Sequence, residues 1–243
     1  MFIRILAVAI SFLISISQIF AQDVEEIIKK SLDSRGNLKV FTEAKSMIIT
    51  GDILQMGMNI PFKYYMKDKK KYRFENEMMG QKSIQAYDGD TLWMSAQGKI
   101  QLVPEQYFEQ VLKGIKQTEG LIKGPLVNYK EKDNEVEFSG NVNEDGRDSY
   151  TLKYIDNEND IEGYLYVDKN TNELFKLWQS VETPQGEETE VEVKFSDYKD
   201  VNEFKVPHKI NIQQGEQGTI AYSIDKIVIG VQIDDSLFVK PAK

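Results

Sequence analysis

Apolar and polar residues alternate with period two along most of the chain, and most clearly between Ser46 and Met94. In the most regular part, one side carries Met58, Ile60, Phe62, Tyr64 and Met66. The other side carries Asn59, Pro61, Lys63, Tyr65 and Lys67. Because successive side chains of a strand point to opposite faces of a sheet, this alternation is typical of half-buried antiparallel strands. Glycine and aspartate at the breaks predict tight turns, so we expect a meander of short strands here.

Two segments replace the period of two by that of a helix. Residues Asp23–Leu38 place apolar residues at helical spacing, and Gly36 suits the end of a helix. Residues Pro104–Gln117 do the same, with proline in the first turn, where its missing N–H costs nothing. A helix inserted between strands of one sheet must cross a face or an opening of that sheet. We therefore interpret the second helix as a lid whose inward residues are Phe108, Val111, Leu112 and Ile115.

Strand patterns resume after the second helix. The predicted strands are Glu135–Ser139, Asp148–Tyr154, Gly163–Val167, Leu174–Val181, Thr189–Phe195, Lys205–Ile212 and Thr219–Val231. About twelve strands and two helices, joined mostly by short turns, predict a mainly β (α+β) fold. We expect a strongly curved antiparallel sheet that forms an incomplete barrel, with about two helices covering its concave opening. No internal repeat or linker divides residues 23–243, so a single domain is predicted.

The first 22 residues have the pattern of a secretory signal peptide. Arg4 gives a short positive start, Ile5–Phe20 is a nearly unbroken apolar run, and Ala21 offers a small residue for cleavage near Ala21/Gln22. An uncleaved membrane anchor is the alternative, but the run is short for a bilayer and a polar segment follows at once. The sequence contains no cysteine, so a lipid-anchored export product and structural disulfides are excluded. We expect a soluble periplasmic protein.

Charge and motif content exclude several functions. The chain has 30 Lys and Arg against 39 Asp and Glu, a formal net charge of −9, so no nucleic-acid partner is expected. The single histidine, His208, has no Gly-x-Ser-x-Gly element beside it. Two calcium-like loops carry Glu173 and Ile161 where that loop requires glycine. We predict no catalytic residue, no metal and no cofactor, and a hydrolase using paired carboxylates is the least favoured alternative.

Methionine is concentrated in the opening meander. Every methionine beyond the initiator lies between Met47 and Met94. Methionine fills irregular space and repacks easily, which suits both ordinary cores and adaptable binding surfaces. The apolar face is therefore either a filled core or the wall of a cavity for an acyl chain, and the periodicity alone leaves both alternatives open.

Several short motifs carry a resemblance to a known family. The block Asp88–Trp93 reads Asp-Gly-Asp-Thr-Leu-Trp and follows the aromatic segment Tyr72–Glu75. Later motifs are Phe195–Tyr198, Val206–Ile210 and the terminal Ile233–Phe238. Together with the order of the elements, these motifs resemble the LolA/LolB-like carriers, which ferry lipoproteins through the periplasm to the outer membrane. Lys67–Lys71 stands where classical carriers place an arginine beside a proline.

The resemblance implies a monomeric carrier with a hydrophobic half-barrel cavity. Its ligands would be the acyl chains of lipoproteins or another lipid, and its partners an inner-membrane release complex and an outer-membrane acceptor. The cavity would be lined by Met47, Ile49, Met58, Ile60, Phe62, Tyr64, Met66, Tyr72, Phe74, Met78 and Ile84. The alternative from another class is a non-enzymatic envelope sensor or scaffold β-protein whose sheet binds a partner protein.

Overall fold

The alternating pattern becomes thirteen antiparallel strands in the computed structural model, which describes residues 24–157, 161–182, 188–215 and 218–242. The predicted signal peptide and Asp23 lie outside these residues. The strands are β1 (Ser46–Gln55), β2 (Met58–Lys67), β3 (Lys71–Met78), β4 (Gln81–Tyr87), β5 (Leu92–Ala96), β6 (Lys99–Leu102), β7 (Asn134–Glu144), β8 (Arg147–Asp156), β9 (Ile161–Asp168), β10 (Leu174–Glu182), β11 (Glu188–Val201), β12 (Phe204–Gln214) and β13 (Thr219–Ile229).

All of the strands belong to one unclosed sheet. Its order is β6-β5-β4-β3-β2-β1-β13-β12-β11-β10-β9-β8-β7, so β6 and β7 form its two edges. The mainly β class and the unclosed antiparallel sheet are thus confirmed. Strand β6, which the sequence analysis did not predict, is only four residues long and exposed throughout, so it has no buried face that would produce an alternating pattern.

The first predicted helix is shorter than expected. Helix α1 covers residues 24–34, and a separate short helix α2 (Leu38–Thr42) follows. Between them, Gly36 has a φ of +95°, and a Cβ at this position would lie 2.3 Å from the carbonyl oxygen of Glu203. Gly36 also forms an isolated bridge with Phe204. The helix therefore stops where the backbone needs a glycine conformation and a close approach to another segment.

The second predicted helix is longer than expected. A short 3₁₀ turn (Glu105–Tyr107) leads into helix α3, Phe108–Lys123, which passes through Gly114 and Gly120. Its second half buries Ile115, Thr118, Glu119 and Ile122. Burial of this face offsets the roughly 1 kcal/mol that each glycine costs in a helix. None of the helices in the described part of the chain is long and apolar enough to cross a bilayer.

The chain divides into two compact units. One comprises the described residues up to Arg35 together with Leu126–Glu192, and the other comprises Gly36–Pro125 and the described residues from Val193 onward. In the first unit, α1 buries Val24, Ile27 and Ile28, and the side chain of Glu25 accepts a hydrogen bond of 2.9 Å from the hydroxyl of Tyr129. The second unit contains β1–β6, α3, β12 and β13. The prediction of a single domain stays a prediction.

Candidate functional site

The apolar face of β1–β3 is covered by α3 in the second unit, and we call it the α3 face. Met47, Ile49, Tyr64 and Met66 are each at most 2% exposed. The hydroxyl of Tyr64 donates a hydrogen bond to the carboxylate of Glu119 on α3. The middle of the α3 face is therefore filled by side chains that are packed and hydrogen-bonded to the helix.

The other predicted wall residues range from buried to exposed. Ile60, Phe62 and Tyr72 are buried, Met58 and Phe74 are half-buried, and Met78 is 46% exposed at the far end of β3. The position predicted for Ile84 is wrong. Ile84 pairs with Glu75, whereas the α3 face continues from Phe74 to Gln85, so Ile84 lies on the opposite face of the sheet. Whether any of these residues binds lipid stays a prediction.

A buried carboxylate marks the contact between α3 and the sheet. Glu119 is 8% exposed and also accepts a hydrogen bond from Lys123. Burial, followed by the negative charge of Glu119, raises the pKa of Tyr64 well above its ordinary value. The same two causes raise the pKa of Tyr72 to about 12, while the ammonium of Lys116 lies 4.4 Å from the centroid of the Tyr72 ring. Both tyrosines thus stay neutral hydrogen-bond donors at neutral pH.

An open groove lies beside this packed region and has a volume of about 440 Å³. It is bounded by the strands next to the β6 edge and by the first half of α3. The lining residues are Gln85, Met94, Gln101, Leu102, Val103, Pro104, Tyr107, Gln110, Val111 and Gly114. None of these residues is charged, and a mainly apolar lining with a few neutral polar groups is the usual composition of a small-molecule site.

The groove forms because the large apolar side chains end partway across the sheet. One cross-strand row of the α3 face runs from Tyr64 to Phe74 and then to Gln85. It continues to Met94 and Gln101. Tyr64 is fully buried and Phe74 half-buried, whereas Gln101 is exposed. Beyond Phe74 the row therefore supplies a low floor of amides and one methionine instead of aromatic rings.

The predicted lid residues divide between the packed region and the groove. Ile115 is completely buried, and Val111 lines the groove. The ring of Phe108 packs edge-on against Tyr87, with 6.0 Å between centroids. Leu112 is half-buried. None of the predicted wall residues lines the groove, and its floor was missed because its glutamines have no apolar signature.

Two of the motifs that carry the family resemblance, Asp88–Trp93 and Ile233–Phe238, meet on the opposite face of the sheet, which we call the C-terminal face. In Asp88–Trp93, the Asp88 side chain accepts hydrogen bonds from the backbone N–H groups of Asp90 and Thr91, at 3.0 and 2.7 Å. This turn leads into Trp93, which is buried and donates from Nε1 to the carbonyl of Phe238 at 2.7 Å. The motif therefore forms a turn, and its tryptophan binds the C-terminal segment.

Basic residues at the end of β2 and the start of β3 bind the C-terminal segment on the same face. Lys67 donates to the carbonyl of Ile233 at 2.9 Å, and Lys67 and Lys71 form ion pairs with Asp235 at 2.9 and 2.7 Å. Arg73 donates to the carbonyl of Leu237 at 2.5 Å. These cations bind the terminal segment on the face opposite α3, so they do not line the groove.

Comparisons with known proteins agree with this architecture. No family model and no curated protein matches the sequence. The structure is similar to that of a DUF1329 family protein from Desulfovibrio piger, with 13% identity, a TM-score of 0.55, and 89% of this chain and 97% of that chain covered. It is also similar to a LolA superfamily protein from Nitrosomonas europaea, with 13% identity, a TM-score of 0.53 and the same shares covered. The chain therefore has the fold expected from its resemblance to LolA/LolB-like proteins.

Proposed function

We propose that this protein is a periplasmic carrier that binds acyl chains of lipoproteins or other lipids and transfers them toward the outer membrane. The uncharged groove beside α3 carries the proposal, because its volume of about 440 Å³ lies within the range of small-molecule sites. The fold shared with a LolA superfamily protein supports it, although fold alone does not fix function. The proposal requires no catalytic group and no cofactor.

Helix α3 has the properties of a lid that is fixed at one end. Its second half is held by the buried residues Ile115 and Ile122 and by the hydrogen bond between Tyr64 and Glu119. Its first half is less buried and borders the groove, and Gly114 separates the two halves without a neighbour within 4 Å of its Cβ position. Since glycine weakens a helix, movement of the first half about Gly114 would extend the groove for a longer chain.

Binding of a fluorescent palmitoyl probe tests the proposal. We expect saturable binding by the purified protein and a loss of at least about tenfold in affinity for Val111→Asp, since a carboxylate in an apolar wall costs more than 1.4 kcal/mol. Val142→Asp is the matched control, because Val142 is exposed on β7 in the other unit. Absence of binding, or equal binding by both variants with circular dichroism unchanged, would contradict the proposal.

A sensor or scaffold that binds a partner protein is the second candidate. The filled middle of the α3 face favours it, since Phe62 is 3% exposed between Phe74, at 5.8 Å between centroids, and Tyr222, at 6.0 Å. A charged residue at Phe62 is expected to unfold a filled core but to leave a cavity wall stable and unable to bind ligand. Lipid mass spectrometry of the protein isolated from the periplasm separates the two functions: copurified acyl chains favour the carrier, and their absence favours the scaffold.

A further inference from the structure

Two neighbouring hairpins of the second unit end in the same unusual turn. Met56-Gly57 joins β1 to β2 with φ values of +50° and +74°, and Met79-Gly80 joins β3 to β4 with +51° and +72°. Positive φ at both central residues is the geometry of a type I′ turn. The first position of that turn favours Asn, Asp or Gly, because an ordinary side chain is strained there. Methionine is therefore opposed by the backbone in both turns.

Methionine is also unfavourable in these turns because its apolar side chain is exposed to solvent. Met79 is 85% exposed and Met56 is 80% exposed, the highest values among the large apolar residues of the described chain. Leu54 and Met78 beside them are 49% and 46% exposed. We call Leu54, Met56, Met78 and Met79 the methionine tips. They form a local concentration of exposed apolar side chains, which on a soluble protein usually marks a contact surface.

The two turns lie at the same end of the sheet. Strands β2 and β3 pair in register up to Phe62 opposite Asn76, and the same register places Asn59 opposite Met79. No heavy atom outside the turns lies within 4 Å of the Cβ positions of Gly57 and Gly80. Both turns therefore project from the sheet, and Met56 and Leu54 also border shallow clefts toward β13.

The turns of the opening meander at this end of the sheet also lack charge. Segments 54–59 and 78–81, and the next turn at 95–98, contain no Asp, Glu, Lys or Arg, although 28% of the chain is charged. The first charged residues behind the tips are Glu77 and Lys82, which lie opposite each other in β3 and β4; the ammonium of Lys82 forms an ion pair with Glu75 at 2.6 Å. A projecting surface without charge can leave water without stripping ions of their hydration.

Other turns of the chain show that the geometry does not require methionine. Gln97-Gly98 has φ values of +52° and +74°, and Asp145-Gly146 has +51° and +78°. Both place a polar residue at the strained, exposed position. The methionines thus cost conformational and solvation free energy that these equivalent turns avoid, and a contact outside the folded chain accounts for them.

We propose that the methionine tips insert into the surface of a lipid bilayer. A bilayer fits this surface better than a protein groove does, because the tips are convex, uncharged and built from flexible side chains that adapt to a fluid partner. The net charge of −9 gives no attraction to anionic lipid. Binding therefore depends on apolar contact, works on neutral phosphatidylcholine and changes little with salt.

Vesicle flotation with neutral phosphatidylcholine tests this inference. The double variant Met56→Asn/Met79→Asn is expected to lower the partition constant of the protein between vesicles and water by at least about tenfold. Because asparagine suits the first position of a type I′ turn, the same variant is expected to be at least as stable to urea. Val142→Asn/Val239→Asn, which removes two exposed apolar side chains elsewhere, is the control and retains binding. Gln97→Met adds a third tip and strengthens binding.

Three results would overturn the inference. They are no flotation of the unsubstituted protein, unchanged flotation of the double asparagine variant, and flotation that requires anionic lipid and disappears with salt. A photo-crosslinker at position 56 that labels a protein and no lipid would also overturn it, in favour of a protein partner. The inference does not depend on the groove: Val111→Asp loses the palmitoyl probe but still floats, so the two proposals fail separately.

Discussion

Substitution Met66→Ala measures how tightly the α3 face is packed. Met66 is 2% exposed, and its cross-strand partners are Met47, which is completely buried, and Tyr72. Truncating a methionine in a filled core typically costs about 2–5 kcal/mol, because the lost contacts and the resulting cavity add together. For a chain of this size, each kcal/mol lowers the melting temperature by about 2–4 °C, so a decrease of about 4–20 °C is expected.

Urea unfolding followed by circular dichroism gives the change in the free energy of unfolding. Met78→Ala is the matched control, since Met78 belongs to the same predicted apolar face but is 46% exposed. We expect the control to change stability by less than about 0.5 kcal/mol. If Met66→Ala cost no more than Met78→Ala, the side chains of the α3 face would not be packed as described. If the palmitoyl probe raised the free energy of unfolding of Met66→Ala to that of the unsubstituted protein, we would instead infer that the acyl chain lies at position 66.

Three further predictions concern backbone and titration. Gly51→Ala is expected to destabilise the protein by about 1–3 kcal/mol in urea unfolding, because the new Cβ would lie 2.1 Å from the carbonyl oxygen of Ser223. Gly120→Ala is expected to stabilise it by about 0.5–1 kcal/mol, since this helical position has no neighbour within 4 Å, and a loss would contradict the described helix. Because burial raises the folded-state pKa of Tyr72 to about 12, the unfolded chain releases its proton first. The free energy of unfolding should therefore fall as the pH rises from about 10 to 12, and it should fall less steeply in Tyr72→Phe. Equal pH dependence of the two proteins would refute the raised pKa of Tyr72.

Three of the motifs that suggest a carrier family have structural contacts in this protein. Trp93 and Arg73 bind the C-terminal segment through its carbonyl groups. Asp234 begins the short turn of that segment by accepting from the backbone of Ser236 at 2.8 Å. A resemblance based on these residues therefore reports how the C-terminal segment is bound to the sheet. The ligand groove has to be identified from other residues.

Local patterns predicted the strands and turns well because they act over a few residues. Alternation places Ile60, Phe62 and Tyr64 on one face wherever that face is the only one buried. The same argument failed at Ile84, because the C-terminal segment covers the other face of β3–β5 and makes an apolar residue favourable there too. The predicted end of the second helix at Gln117 was also too early, because burial of Glu119 and Ile122 outweighs the low helix propensity of Gly120.

The sequence by itself determined the antiparallel strands, their tight turns and an apolar face rich in methionine. Period two and turn chemistry are properties of adjacent residues, so they can be recognised without a partner. Only the tertiary structure decided that Tyr64 and Met66 are packed beneath α3 and that the open groove lies farther along the sheet, at Gln85 and Met94. That difference depends on which side chains face one another across six strands, and no local pattern records how completely they fill the space under a helix.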